Sequence, residues 1–179
     1  PQAARVTSYE EFSLASAQRA ADDGMLAEWV VGFLASPGSD NAELAAALAF
    51  NGAAYLGPIR FELDRLTPMA GPDEGSVVVP VPKKDWESDV EAMEHSIEEG
   101  WLPPPLLVSH RDGNYYLEDG NHRYETLCRS GATLAWTILL FADEVERDQF
   151  LKGHSRMSER PGTDATIQPP RTGTSGTTS

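Results

Sequence analysis

The sequence predicts an α+β fold: a small mixed sheet with packed helices, preceded by a helical cap. Three observations lead there. Residues 8–50 carry apolar residues at helical spacing and no strand pattern. From Pro58 onward, short alternating or apolar runs interleave with helical runs. The chain, 179 residues long, can bury a sizeable core as one domain with a small appendage.

The elements follow in order. Ser8, ahead of Glu10 and Glu11, has the form of a helix start. Leu26, Trp29, Val30, Phe33 and Leu34 recur at helical spacing, and Ser36-Pro37-Gly38-Ser39-Asp40 stops the run. Residues 41–50 are Ala-rich and add Leu44, Leu48 and Phe50. Gly52 and Gly57-Pro58 then break the pattern. Residues 1–56 therefore read as a helical cap with packing duties and no catalytic constellation.

Ile59 to Leu63 alternates as a strand does. Residues 69–75 form a Gly/Pro/Asp loop, and residues 77–81 a short extended run in which Pro80 favours a sheet edge. A helix opens at Asp85, with Trp86, Val90, Met93 and Ile97 on one stripe and Gly100 as its stop. The acids of this helix read as a solvated face. Leu106 to His110 and Tyr115 to Glu118 form a hairpin about Asp112-Gly113. A short helix runs from Asn121 to about Ser130. Leu134 to Phe141 is a continuous apolar strand, and Trp136 shares a core face with Leu134 and Ile138. Glu144 to Lys152 is the last helix, and residues 153–179 are a flexible tail rich in Pro, Gly, Thr and Ser.

Charge narrows the function. Asp plus Glu number 28 against 14 Lys plus Arg, a formal net charge of -14. In the tail, Arg156, Arg160 and Arg171 stand against Glu159 and Asp164, so the acidity belongs to the body. An acidic body argues against a nucleic-acid partner, because phosphate neutralisation needs Lys and Arg. No apolar run approaches the ~20 residues of a membrane span and no signal segment opens the chain, so the expected setting is cytoplasmic, without a membrane. Cys128 is the sole cysteine and is expected to be at least half-buried. It leaves no intramolecular disulfide and no Cys-rich zinc site. Ser109 and His110 are adjacent on a strand and face opposite sides, so they form no nucleophile–base pair.

The informative stretch is Leu117 to Glu125, with Asp119-Gly120-Asn121-His122-Arg123 at its centre. A strand ends in Asp-Gly and a helix begins at once. Gly120 permits a tight turn and the close approach of a ligand. The first helical amides offer donors to an anion. His122 and Arg123 lie in that first turn, where exposed cations cost about 0.3–1 kcal/mol each against the helix dipole. A compensating anion is therefore expected, and Arg123 has the forked donor set that suits phosphate. His122 can move a proton near neutral pH. Asp119 reads equally as a plain N-cap, a magnesium ligand or a base. Arg123 could instead pair with Glu125 or Glu118.

This arrangement resembles the ParB/sulfiredoxin superfamily over residues 58–141, from IRFELDRLTP through PPPLLVSHRDGNYYLEDGNHRYETLCRSG to the apolar strand. ParB-type proteins carry Gly-Glu-Arg-Arg where this chain has Gly120-Asn121-His122-Arg123. Sulfiredoxins carry Gly-Cys-His-Arg, and ParB-like free-serine kinases Asp-Gly-His-His-Arg. The resemblance implies that residues 57–152 form a nucleotide-binding domain, with Gly120, Asn121, His122, Arg123 and Tyr124 at the nucleotide. It makes Asp119 and His122 the catalytic candidates and Asp119 the metal ligand. ATP or ADP, with Mg2+, is the implied cofactor, and a small hydroxyl compound the acceptor. Asn121 replaces the catalytic Cys of sulfiredoxins, which argues against sulfinic acid reduction. The kinases place a Glu base after the first strand, and Glu62, Asp64, Asp73 and Glu74 are the candidates here. The expected function is an ATPase or phosphotransferase. A non-enzymatic nucleotide-responsive module is the alternative, and a ParB-like nuclease the third.

Overall fold

Local signals of this kind set most elements, and the computed structural model, which describes residues 11–72 and 78–158, shows how they assemble. Among the described residues the first complete helices are α1 (Leu14–Asp22), α2 (Leu26–Ala35) and α3 (Ala42–Asn51). Ser13 caps α1 reciprocally: its hydroxyl accepts from the Ser16 amide, and the Ser16 hydroxyl accepts from the Ser13 amide. The start expected at Ser8 lies outside the described residues. α3 stops at Gly52, which takes the left-handed conformation at φ 62°.

The strands are β1 (Ala54–Glu62), β2 (Leu66–Pro68), β3 (Ala70–Pro72), β4 (Val79–Val81), β5 (Leu106–Arg111), β6 (Asn114–Asp119) and β7 (Leu134–Phe141). The remaining helices are α4 (Lys83–Glu98), α5 (Asn121–Arg129) and α6 (Glu144–Ser158). Five strands make one mixed sheet in the order β1-β7-β5-β6-β2, while β3 and β4 pair separately. β5 runs parallel to β7 and antiparallel to β6, so the hairpin sits in the middle of the sheet. Asp112 (φ 52°) and Gly113 (φ 78°) make its turn, both left-handed, as a two-residue hairpin of this twist requires.

Strand alternation sorts the core. Leu106 and Val108 of β5, with Ala135, Leu139 and Phe141 of β7, face α5 and α6 through Tyr124, Leu127 and Phe150. Leu107, Ile138 and Leu140 face the other way, against Trp29, Val30, Phe33 and Leu34 of α2. The sheet is thus covered on both sides, with the N-terminal helices as one layer. Each fully buried Leu, Ile or Phe stabilises by about 1.5–3 kcal/mol.

Several boundaries differ from the sequence reading. Gly57-Pro58 does not end a segment: it lies inside β1 as a bulge between Leu56 and Ile59, joined by a cis peptide bond. A bulge tolerates the missing Pro donor. Gly57 has φ 127°, and a Cβ there would stand 2.6 Å from the Thr137 carbonyl oxygen. Trp136 is only half-buried, with the Arg60 guanidinium 5.5 Å from its ring centre. Leu134, at the strand start, is exposed. α6 continues past Lys152 to Ser158, so the first residues assigned to the tail are helical. The rest of the tail lies outside the described residues. Among the described residues, no helix is long and apolar enough to cross a membrane.

Candidate functional site

β6 delivers Asp119 at its end, Gly120 turns the chain at φ 100°, and α5 begins at Asn121. The turn demands glycine twice over. Its φ is left-handed, and a Cβ would lie 2.7 Å from Leu106 Cδ2 and 2.8 Å from Arg123 Nη2. Gly120 is itself the N-cap, and no side chain caps the helix. Asp119 therefore does not act as the plain N-cap that was one reading of it. The first helical bond runs from the Tyr124 amide to the Gly120 carbonyl at 2.8 Å, so the amides ahead of it point out of the helix end.

The anion that offsets Arg123 is Asp119 of this same chain. Arg123 is 5% exposed, and its Nη2 donates to Asp119 Oδ2 at 2.5 Å. Its Nη1 donates to the carbonyls of Pro104 at 2.9 Å and Pro105 at 3.3 Å. The guanidinium also lies 5.5 Å from the centre of the Phe33 ring. This is how a cation survives in the interior: it is paired, and its further donors meet backbone oxygens. Asp119 Oδ1 accepts from Ser39 Oγ at 2.6 Å. Both carboxylate oxygens thus have donors within the chain.

Asn121 serves the scaffold. Its Oδ1 accepts from the amides of Met69 at 2.9 Å and Ala70 at 3.0 Å, tying the β2–β3 link to the start of α5. The His122 ring lies 4.2 Å from that of Trp86 on α4, inclined by 33°. Its Nε2 stands 3.8 Å from Asp89 Oδ2, a pair that is ionic when the imidazole is protonated. Trp86 is buried, and its Nε1 has no hydrogen-bond partner among the described residues.

These residues meet at an open cleft of about 920 Å³. Residues 119–123 lie along it, with Asp89, Met93 and Glu99 on the α4 side and Phe33 and residues 37–40 on the α2 side. Asp119, Gly120, Asn121, His122 and Arg123 all line the cleft. Tyr124 turns elsewhere, to a second groove of about 580 Å³ shared with Glu62, Asp64 and Cys128. Burial, followed by the neighbouring Cys128, pushes the Tyr124 phenol up to about 12. Glu62 and Asp64 therefore stand away from the cleft, while Asp73 and Glu74 lie outside the described residues. Cys128 is exposed rather than half-buried, because it faces out from the last turn of α5. Ser109 Oγ donates to Glu118 at 2.5 Å and His110 Nδ1 meets Glu146 at 2.7 Å, so the two do not address each other. Among the described residues, no group of three His, Cys, Asp or Glu could hold a metal ion.

The 37–40 loop is the part that sequence reading missed. Its Pro-Gly-Ser-Asp composition marked a helix stop, and nothing local ties it to Asp119, 80 residues further on. The N-terminal helices therefore supply one wall of the site as well as packing.

No protein-family model and no curated protein matches the chain. Several solved structures are similar to it. Sulfiredoxin from Arabidopsis thaliana is 20% identical, with 55% of this chain and 96% of that chain covered and a TM-score of 0.32. A mutant free serine kinase in complex with AMP is 24% identical, with 50% and 31% covered and a TM-score of 0.33. A Pnob8-like ParB-N domain is 21% identical, with 63% and 41% covered and a TM-score of 0.35. The chain thus spans less than half the length of the last two, and these likenesses concern the fold alone.

Proposed function

We propose that the cleft binds a nucleotide, ATP or ADP, with its phosphates at the N-terminal end of α5. The chain would then act as an ATPase or as a phosphotransferase to a small hydroxyl acceptor. One observation carries the reading: the glycine turn and the outward-pointing first amides of α5 stand on a cleft of about 920 Å³. That volume lies within the range of small-ligand sites. The amides of residues 121–123 would donate to phosphate oxygens, and Gly120 lets those oxygens come close. His122, resting on Trp86 in the cleft, would add an imidazole donor. Arg123 acts from below as a buried, already bonded charge and not as a fork on the phosphate. Phosphoryl transfer asks mainly for such positioning and charge stabilisation.

The residues present do not fit a resident magnesium centre. Ser39 and Arg123 hold the Asp119 oxygens, and no three-ligand cluster occurs among the described residues.

Isothermal titration with ATP, ADP and CTP tests the reading. Binding of ATP or ADP is expected, weakened about tenfold by His122→Ala, the scale of one charge-assisted hydrogen bond. Absence of binding by all three removes the proposal. The second reading, a nucleotide-responsive module without turnover, is favoured by the Asp119–Arg123 pair, which holds one carboxylate oxygen against a buried guanidinium. Binding with no phosphate released or transferred, across a panel of hydroxyl compounds, would select the module.

A further inference from the structure

Ser39 belongs to no motif, yet its hydroxyl lies in the cleft beside the α5 turn. It stands in the α2–α3 connection, where the amides of Ser39 and Asp40 donate to the Ser36 carbonyl at 3.2 and 2.8 Å. Asp40 closes that turn at φ 54°. The turn presents Ser39 Oγ to Asp119 Oδ1 at 2.6 Å. The other oxygen of Asp119 is held by Arg123, which the Pro104 and Pro105 carbonyls fix in turn. The carboxylate is therefore oriented from behind and offers one oxygen to one hydroxyl. A hydroxyl that donates to an oriented carboxylate at this distance has the geometry of a nucleophile and its base. Asp119 also directly precedes Gly120, where the proposed phosphate site begins.

We infer that Ser39 is a phosphoryl acceptor of this chain's own cleft, an inference that rests on the nucleotide-binding reading above. Ser39 Oγ forms a bond to the terminal phosphorus of a nucleoside triphosphate. The bond from that phosphorus to the bridging oxygen breaks, and its electron pair leaves with the nucleoside diphosphate. The Oγ proton passes to Asp119 Oδ1. The esterified Oγ has no proton left to donate, so the Ser39–Asp119 bond is lost. Once Asp119 releases the proton to water, the phosphoserine, with about -1.5 to -2 charges, stands beside a carboxylate that repels it. Phosphorylation would thereby release the α2–α3 loop from the cleft wall.

The test uses the full chain and ATP labelled in its terminal phosphate, with magnesium in the buffer. Nucleotide binding is measured on the same samples by equilibrium dialysis, and the label is mapped by tandem mass spectrometry. The expected result is label on Ser39, none in Ser39→Ala, retention in Ser39→Thr, and a rate per chain independent of protein concentration. Asp119→Asn, checked for fold by circular dichroism, should slow labelling about a hundredfold or more, the scale of a general base. Bound nucleotide without label on Ser39 overturns the inference and leaves the binding site standing. Wild-type labelling by a folded Asp119→Asn also overturns it, since the pair would not be the reacting unit. Absence of bound nucleotide overturns both.

Discussion

Arg123 and Arg129 lie on the same helix, and each meets carboxylates, yet they do opposite work. The Arg123 side chain is 6% exposed and its partner Asp119 12%. Arg129, 33% exposed, grips Glu87 of α4 with two bonds of 2.8 and 2.9 Å and Glu125 of α5 with one of 2.8 Å. By number of bonds to carboxylates, Arg129 has the better pair, three against one. By consequence it has the weaker one, because water can replace each of its partners. Arg123 has no such substitute, and removing it strands a buried carboxylate. A count of ion pairs would rank the two ends of α5 wrongly.

Substitutions at four positions probe that contrast. Arg123→Ala should have the largest effect, a loss of about 3–5 kcal/mol in urea unfolding. Arg123→Lys should rescue little, since an ammonium lacks the fork that reaches Asp119 and the two proline carbonyls. A small loss in Arg123→Ala would show that Asp119 finds water, and that the cleft end of α5 is no drier than the other. Gly120→Ala comes next, at about 1–3 kcal/mol for the left-handed backbone alone. The close approach to Leu106 adds to that cost, and thermal unfolding reads the sum.

Arg129→Ala should shift stability least, within the small range of exposed pairs, and molar salt should erase the difference. Persistence of the effect in high salt would mean that Arg129 packs α4 onto α5 through its alkyl stem. Tyr124 gives a fourth handle, in pH. Its phenol is raised from 10.0 to about 12, chiefly by burial, so the folded state holds the proton more tightly than the unfolded chain. That stability is fully present below about pH 10 and is lost as pH rises toward about 12. Tyr124→Phe should remove this part of the slope between about pH 10 and about pH 12 in denaturation midpoints.

Much of this architecture could be read from neighbours in the chain. β7 runs from Leu134 to Phe141 as its apolar run suggests, and the Asp112-Gly113 hairpin lies where two turn formers stand between apolar strands. What failed were places where a local rule meets a tertiary exception. Gly57-Pro58 reads as a break, but β7 accepts it as a bulge, so β1 begins earlier, at Ala54. Arg123 reads as an exposed phosphate fork. Its burial depends on two proline carbonyls upstream, and no spacing rule connects them to it. The Asp119–Arg123 segment was visible because strand, glycine and helix are consecutive. Ser39 and the stacking of His122 on Trp86 were not, because each joins separate elements.

The Ser39–Asp119 bond has a kinetic meaning as well. It closes a span of 80 residues, and contacts of that range form late, after the loop entropy between them has been spent. The hairpin and α5 can assemble from near neighbours, so the Gly120 turn exists early but with one wall of the cleft missing. Only when the N-terminal helices dock does the cleft acquire its second side. Competence to bind would thus report that the whole described chain has folded, and a fragment holding residues 57–152 alone should show the turn without the cleft.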